Sequence, residues 1–248
     1  MAAIRIGTSG WHYKHWVGKF YPAKLPATQM LAYYDERFDS VEINNSFYML
    51  PKFETMRGWR AATPKNFEFA VKASRFLTHN KKLKEPENAL ENFLPRAEAL
   101  GEKLGPILFQ LPPKWRLNVE RLAEFLAALP KYHHYAFEFR EPSWLTDSVY
   151  DLLRRHNAGF CIYELAGFHS PIELTADWTY VRLHGPGGKY QGSYSGSALR
   201  DWAERIVEWD SELKRVYVYF DNDEAGYAAF NALRLKRMVG ELLSREAA

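Results

Sequence analysis

The sequence predicts a single-domain α/β fold over residues 1–248, a (β/α)8 barrel of the TIM-like class, and three observations support it. Short strand-like runs alternate with helical patterns along the chain, which is the sequence form of parallel βα units. These runs place charged side chains on one parity and large apolar ones on the other. The length of 248 residues suits one barrel domain.

About eight strands are predicted, and all but one are followed by a helical pattern. The strands are expected to begin at Ile4, Ser40, Phe67, Ile107, Tyr135, Gly159, Thr179 and Val216. The helices are expected over residues 27–38, 52–62, 86–104, 119–129, 143–156, 197–213 and 224–243. The segment after the sixth strand contains Gly167 and Pro171 and lacks a helical period, so a loop is expected to replace the sixth helix.

The alternation within the strands predicts where charge is buried. In residues 136–140, two phenylalanines alternate with Glu138 and Arg140, and residues 40–44, 69–72 and 181–184 repeat the pattern. Successive strand side chains point to opposite faces of a sheet, so one face is apolar and the other is ionised. If helices cover the apolar face of a closed sheet, the charges line its interior. Unpaired buried charges cost several kcal/mol each, so this interior is the predicted location of function.

Composition narrows the class of protein. The formal net charge of +3 is too small to indicate polyanion binding by itself, although a pI near 8.8 leaves that class open. The single cysteine, Cys161, excludes an internal disulfide and fits a reducing compartment. The amino terminus lacks a signal-peptide core, and no apolar run approaches the roughly 20 residues of a spanning helix. We therefore expect a cytoplasmic protein without a membrane partner, and the sequence leaves the oligomeric state open.

Motifs at the predicted strand ends resemble one known family. They are residues 6–11 (IGTSGW), 41–44 (VEIN), 71–73 (VKA), 78–79 (TH), 108–113 (LFQLPP), 138–140 (EFR) with 143–144 (SW), 182–185 (RLHG) and 231–232 (NA). With these motifs in this order, the chain resembles the YecE-like barrels, the domain of unknown function DUF72. The resemblance spans nearly the whole length, implies the barrel fold and brings no established reaction. The chain departs from the family pattern at Asp221 and near Glu164.

Two carboxylates on the ionised parity are candidates for acid/base chemistry. Glu42 and Glu138 are expected on the second and fifth strands, near the carboxyl ends where barrel enzymes place their active sites. A carboxylate held in a closed interior has its pKa raised toward the working pH, which suits a general acid or base. The alternative is structural ion pairing with the neighbouring cations.

A cationic set predicts an anion-binding role. Arg140, Arg182, Lys72 and His184 are expected at strand ends, and the arginine fork favours bidentate binding of carboxylate or phosphate. The glycine-rich stretch 185–196 then leads into a helix predicted from residue 197, so its backbone N–H groups could hold an anion. The alternative is a flexible lid without a bound anion.

Further strand-end residues complete the candidate site. Aromatic side chains that could stack on a ring-bearing ligand are Trp11, Tyr13, Tyr48, Trp144, Tyr190 and Tyr194. Polar side chains in the same positions are Asn44, Gln110, Asp221 and Asn222. A metal held by Glu42, Glu138, His184 and Asp221 is disfavoured, because the spacing matches no metal motif and nearby cations would repel it. No cofactor is predicted.

Three functional hypotheses follow. The favoured one is an enzyme acting by acid/base chemistry on a small anionic, ring-bearing substrate such as a phosphosugar or nucleotide derivative, by hydrolysis, isomerisation or elimination. In it, Glu138 and Glu42 exchange protons, His184 assists, and the cations hold the anion. The second is a nucleic-acid-binding or phosphodiester-cleaving barrel that uses the basic segment 75–84. The third is a ligand sensor without catalysis.

Overall fold

The computed structural model describes residues 1–246, in which strands and helices alternate. The strands are β1 (Ala3–Thr8), β2 (Ser40–Ile43), β3 (Glu68–Lys72), β4 (Leu104–Leu111), β5 (Tyr135–Phe139), β6 (Gly159–Leu165), β7 (Phe168–His169), β8 (Trp178–Leu183) and β9 (Arg215–Phe220). The helices are α1 (Met30–Asp35), α2 (Phe53–Ala62), α3 (Pro86–Glu98), α4 (Val119–Ala128), α5 (Asp147–Arg155), α6 (Gly196–Glu212) and α7 (Tyr227–Glu246). The eight strands other than β7 are parallel and form a nearly closed barrel, which confirms the predicted (β/α)8 TIM-like class.

The fold divides into two compact units. The first unit contains residues 1–41, residues 162–170 and the chain from Asp177 onward; the second contains residues 42–161 and 171–176. In the first unit, β9 pairs in parallel with both β1 and β8. In the second, β4 pairs in parallel with both β3 and β5. The expectation of a single domain stays a prediction.

In the second unit, the apolar parity of β5 faces a helix, as expected. Phe125 of α4 packs edge-on against Phe109 of β4, at 4.9 Å between ring centroids, and against Phe137 of β5. Glu138 follows Phe137 directly and therefore points to the opposite face of the sheet. Glu138 is nevertheless fully buried. This burial is the feature that the alternation predicted.

In the first unit, the side chains of β8 and β9 that share the face of the charged residues are aromatic along most of each strand. This face is ionised only at the carboxyl ends of the strands. Tyr180 of β8 lies 5.2 Å from Tyr219 of β9 between ring centroids, and the Tyr219 hydroxyl is hydrogen-bonded to Ser40 Oγ at 2.6 Å. Arg182 of β8 shares the parity of Tyr180, and Asp221 shares that of Tyr219. Tyrosines therefore fill this face, and the charges stand at one end of it.

Several predicted boundaries were wrong, most clearly at α3. The helix begins at Pro86, as the proline at its first position predicts, but it ends at Glu98 instead of residue 104. Gly101 then adopts φ +58°, the left-handed conformation that stops a helix, and β4 begins at Leu104, earlier than expected. The predicted helices 27–38 and 143–156 each start with a separate 3-10 turn, over Ala27–Gln29 and Pro142–Trp144.

A hairpin occupies the place of the sixth helix. β6 turns through Ala166 and Gly167, whose φ angles of +50° and +79° fit a two-residue hairpin turn, and pairs antiparallel with β7. Residues 166–177, all of them described, contain no helix. The absence of a helical period was therefore interpreted correctly, while the strand β7 was missed.

The helices range from six residues in α1 to 20 in α7. None in the described part of the chain combines the length and apolar composition that a bilayer-spanning helix needs.

Candidate functional site

The first unit holds one cluster of buried polar side chains at the carboxyl ends of β1, β8 and β9. Arg182 Nη2 donates to Asp221 Oδ2 at 3.0 Å and to Ser9 Oγ at 3.2 Å. His184 Nδ1 lies 3.1 Å from the same carboxylate oxygen. Arg182 and His184 are fully buried and Asp221 nearly so. The structure therefore brings together three of the predicted site residues, with Ser9 as an addition that the sequence analysis did not single out.

These contacts fix the orientation of His184. Arg182 Nη1 lies 3.3 Å from His184 Nε2, and Asp221 Oδ2 lies on the Nδ1 side of the ring. Both ring nitrogens therefore have a polar neighbour within the cluster. The Arg182 charge is balanced by Asp221 within the same cluster. Hydrogen bonds therefore link Arg182, His184 and Asp221 to one another, which suits a positioning role.

Hydrogen bonds from two asparagines hold the glycine-rich stretch 185–196 after β8 in place. Asn222 Nδ2 donates to Gly192 O at 2.8 Å and to Asn231 Oδ1 at 2.9 Å. Asn231 Oδ1 also accepts from the Tyr194 backbone N–H, at 3.2 Å. Gly185, at φ +108°, lies so close to the Gln191 carbonyl that a Cβ would collide with it. These contacts hold the stretch against the residues that follow β9, and the helix after it begins at residue 196 instead of 197.

The second unit holds its own ionised cluster. Glu138, near the end of β5, pairs with Arg140 Nε through Oε1, and Cys161 Sγ lies 3.9 Å from Oε2. Gln110 of β4 is in register with Glu138 and is almost completely buried. Glu42, in β2, is also fully buried. Ion pairing of Glu138, the structural alternative to catalysis, therefore occurs within this unit.

Lys72 lies in an aromatic environment at the end of β3. Its Nζ stands 4.5 Å from the centre of the Phe47 ring, within the range of a cation–π contact. His79 packs edge-on against the same ring, at 5.0 Å between centroids. Phe47 therefore places a cation and an imidazole side by side.

His79 is a functional candidate that the site prediction missed. It lies on a π-helical turn, Phe76–Asn80, in a segment interpreted as a basic loop. Such turns are frequent at functional sites. Its pKa is lowered to about 4, first by burial and then by the charges of Lys72, Arg75 and Arg140. The imidazole is therefore neutral at pH 7. The signals that could have found it were the Thr-His motif and the cations around it in sequence.

The tautomer of His79 leaves one nitrogen available. Thr78 Oγ1 donates to Ser74 O at 3.2 Å and lies 2.9 Å from His79 Nδ1. A threonine hydroxyl has a single proton, so Nδ1 donates to Oγ1 and Nε2 keeps its lone pair. Nε2 has no hydrogen-bond partner among residues 1–246. This nitrogen is free to accept a hydrogen bond, although burial and the three cations make it a poor proton acceptor at pH 7.

The remaining predicted residues differ in their surroundings. Trp144 is buried, stacks on Phe139 and donates its Nε1–H to Trp115 O at 2.6 Å, so it packs its loop onto the barrel. Trp11 and Tyr194 are also buried, whereas Tyr48 is 78% exposed. The other members have these positions: Tyr13 packs on Trp16, Tyr190 lies edge-on to His184 at 5.4 Å, and Asn44 Oδ1 is buried without a hydrogen-bond partner in the described chain. Their ligand-binding roles stay predictions.

Comparison with known proteins gives one consistent match. The sequence profile of the family described as "Protein of unknown function DUF72" matches residues 5–247. The UPF0759 protein YunF of Bacillus subtilis (strain 168) is 27% identical over 273 aligned residues, covering 95% of this chain and 94% of YunF. The UPF0759 protein YecE of Escherichia coli (strain K12) is 31% identical over 142 residues, covering 57% of this chain and 50% of YecE.

A solved structure of a DUF72 family protein from Thermotoga maritima is similar over nearly its whole length. It is 32% identical, with a TM-score of 0.87, and the match covers 96% of this chain and 99% of that one. A DUF72 family protein from Enterococcus faecalis V583, 22% identical with a TM-score of 0.79 over 96% and 95% of the two chains, shares the fold.

Proposed function

The chain belongs to the DUF72 family, as its motifs predicted, and from this premise we propose that it is an enzyme acting by acid/base chemistry on a small organic anion. The substrate class is a phosphorylated or carboxylated compound that carries a ring, such as a phosphosugar or a nucleotide. The family description names no reaction, so the proposal rests on the second unit of this chain.

The observation that supports the proposal most strongly is the environment of His79. Its Nε2 is unpartnered within residues 1–246, and its pKa is lowered first by burial and then by the charges of Lys72, Arg75 and Arg140. An anion bound by these cations would offset the part of the shift that their charges cause, and so raise the pKa of His79. Substrate binding would then convert a poor base into an effective one, which favours proton transfer only when substrate is present.

Glu138 is the second proton-transfer group in this proposal. It is fully buried, and its pairing with Arg140 stabilises the carboxylate. An anionic substrate that draws Arg140 toward itself would weaken this pairing and favour protonation of Glu138. Arg140 and Lys72 would hold the anion, and Gln110, in register with Glu138, would orient it. Glu42 stays a candidate for the same chemistry because it is fully buried on β2.

An aromatic pair supports the ring-bearing part of the substrate. Tyr48 is strongly exposed and stands edge-on to Phe47, at 5.0 Å between centroids. Phe47 in turn contacts Lys72 and His79. An exposed aromatic face beside a cation suits a ligand with a ring at one end and an anion at the other.

In the first unit, we assign Arg182 and Asp221 to positioning His184. The three side chains are joined by hydrogen bonds, and Arg182 also donates to Ser9. If a hydrogen-bond donor on the ligand replaced Arg182 at Nε2, His184 would assist the reaction, as the sequence analysis predicts. We also propose a cytoplasmic location, because the single cysteine fits a reducing compartment.

The test is a thermal-shift screen of sugar phosphates and nucleoside monophosphates, followed by NMR detection of turnover. A compound whose free concentration is 100 times its Kd stabilises the folded state by about 2.7 kcal/mol. We expect the shift to disappear in Lys72→Gln and to persist in Lys65→Gln, an exposed lysine that has no ion pair among the described residues. Glu138→Gln should bind the compound and turn it over at least about 100-fold more slowly.

The outcomes separate the hypotheses. A compound whose shift is equal in Lys72→Gln and wild type overturns the proposed site. A compound that binds through Lys72 and is never converted by the wild-type protein identifies a sensor instead of an enzyme.

A second candidate function, nucleic-acid binding, is favoured by one observation. Arg75, Lys82 and Lys84 are exposed, and none has an ion pair within the described residues. Fluorescence anisotropy with single- and double-stranded oligonucleotides at 50 and 200 mM salt tests it. Affinity that falls steeply with salt and drops in Lys82→Ala/Lys84→Ala supports it; absence of binding at 50 mM salt contradicts it.

A further inference from the structure

A cavity lies in the second unit, at the amino-terminal ends of β5 and β6. It has a volume of about 510 Å3 and is formed by the carboxyl ends of α4 and α5 and the loops that follow them. Barrel active sites lie at the opposite, carboxyl ends of the strands. The proposed catalytic cluster leaves this cavity unexplained, and its volume lies in the range of small-molecule sites.

The lining of the cavity is one-sided in charge. Its 12 residues include Lys131, Arg154 and Arg155 together with two histidines, and none of the 12 is acidic. Arg154 is neutralised by Asp151 and Glu173, at 2.8 Å each. Lys131 and Arg155 have no ion pair or side-chain hydrogen bond among residues 1–246. Two full positive charges are therefore left uncompensated.

The helix termini do not cancel these charges. Each helix carboxyl end carries about half of a negative elementary charge, so α4 and α5 together offset about one of the two cations. The surplus is felt by His156, whose pKa is lowered by burial and by the charges of Arg155 and Lys131. The cavity therefore keeps a positive potential of its own.

The remaining lining suits an organic ligand. Leu126, Leu129 and Ala158 supply apolar surface, and Tyr135 adds an aromatic ring. The Tyr135 hydroxyl is buried without a hydrogen-bond partner in the described part of the chain, although buried hydroxyls are normally paired. A ligand with an apolar body and an anionic group would use the apolar surface, the face of the ring and the two cations.

We propose that this cavity is a binding site for a small amphiphilic anion, an organic phosphate or carboxylate with an apolar group, held by Lys131 and Arg155. The site is separate from the proposed catalytic cluster and does not depend on it. Its position at the amino-terminal ends of the strands assigns it to ligand sensing or to stabilisation by ligand, not to the reaction.

The experiment uses phenyl phosphate as the probe and the C2–H resonance of His156 as the reporter, assigned with His156→Gln. We expect the resonance to move with saturation, and Lys131→Ala/Arg155→Ala to weaken the affinity about tenfold or more. Lys24→Ala/Lys65→Ala, with the same loss of charge on exposed lysines, is the matched control and should bind as the wild type does. Lys72→Gln should also leave this binding unchanged.

A His156 resonance that does not move with millimolar phenyl phosphate overturns the site. Equal affinity of wild type and Lys131→Ala/Arg155→Ala overturns it as well. Loss of the effect in Lys72→Gln alone would show that the probe acts through the catalytic cluster, and would also overturn it.

Discussion

The lowered pKa of His79 makes stability depend on pH in a defined direction. The pKa falls from an ordinary 6.5 to about 4 in the folded protein. Between these values the unfolded chain binds more protons than the folded one, so the free energy of unfolding decreases as the pH falls from 6.5 toward 4. At 1.36 kcal/mol per pH unit the full gap corresponds to about 3.4 kcal/mol. Because the side chain is partly exposed and solvent screens it, we expect about 1 to 2 kcal/mol.

Urea unfolding at pH 7.5 and pH 4.5 measures this effect in wild type and in His79→Gln. Wild type should lose about 1 to 2 kcal/mol more than His79→Gln on acidification, because the variant has no imidazole to protonate there. His12→Gln, at an exposed position, controls for the loss of a histidine. Equal pH dependence of wild type and His79→Gln would show that the pKa of His79 is not lowered in the folded protein.

Three further predictions concern stability. Gly185→Ala should cost about 1 to 3 kcal/mol in urea unfolding, because φ is +108° and the new Cβ collides with a backbone carbonyl. Lys103→Met should cost about 2 to 4 kcal/mol in the same assay, because Nζ donates at 2.6 Å to two carbonyls at the end of α2. Asn231→Ala should speed hydrogen exchange of the Tyr194 amide, because in the wild type this amide donates to Asn231 Oδ1 at 3.2 Å.

Matched changes check these predictions. Gly58→Ala, in α2 with open space around it, should stabilise the protein by about 0.5 to 1 kcal/mol instead of destabilising it. An unchanged free energy of unfolding in Gly185→Ala or Lys103→Met would contradict the contacts described. Unchanged Tyr194 exchange in Asn231→Ala would show that the glycine-rich stretch is held by other contacts.

The barrel could be predicted because its signals are local. Alternation within residues 136–140 assigns Phe137 and Glu138 to opposite faces without knowledge of any partner strand. The same alternation predicted the burial of Glu138 and Arg182. These features follow from the geometry of a single strand, and the structure adds only the neighbours.

Features that depend on distant contacts were not predictable. α3 ends at Glu98 and not at residue 104, because the chain turns at Gly101 to enter β4 at Leu104. The hydrogen bond that holds the glycine-rich stretch joins Tyr194 to Asn231, which lie 37 positions apart in the sequence. The lowered pKa of His79 arises from burial and from the charges of distant residues that the fold brings together. Sequence order alone gives none of these proximities.

In the proposed function, an anion bound among Lys72, Arg75 and Arg140 activates His79. The most direct test is the pKa of His79, followed through its C2–H resonance, with and without each compound of the sugar phosphate and nucleotide panel at constant ionic strength. We expect the pKa to rise from about 4 with at least one compound, and the rise to be lost in Lys72→Gln. A pKa that stays the same with every compound, or rises equally in Lys72→Gln, would show that no anion acts on His79 through Lys72.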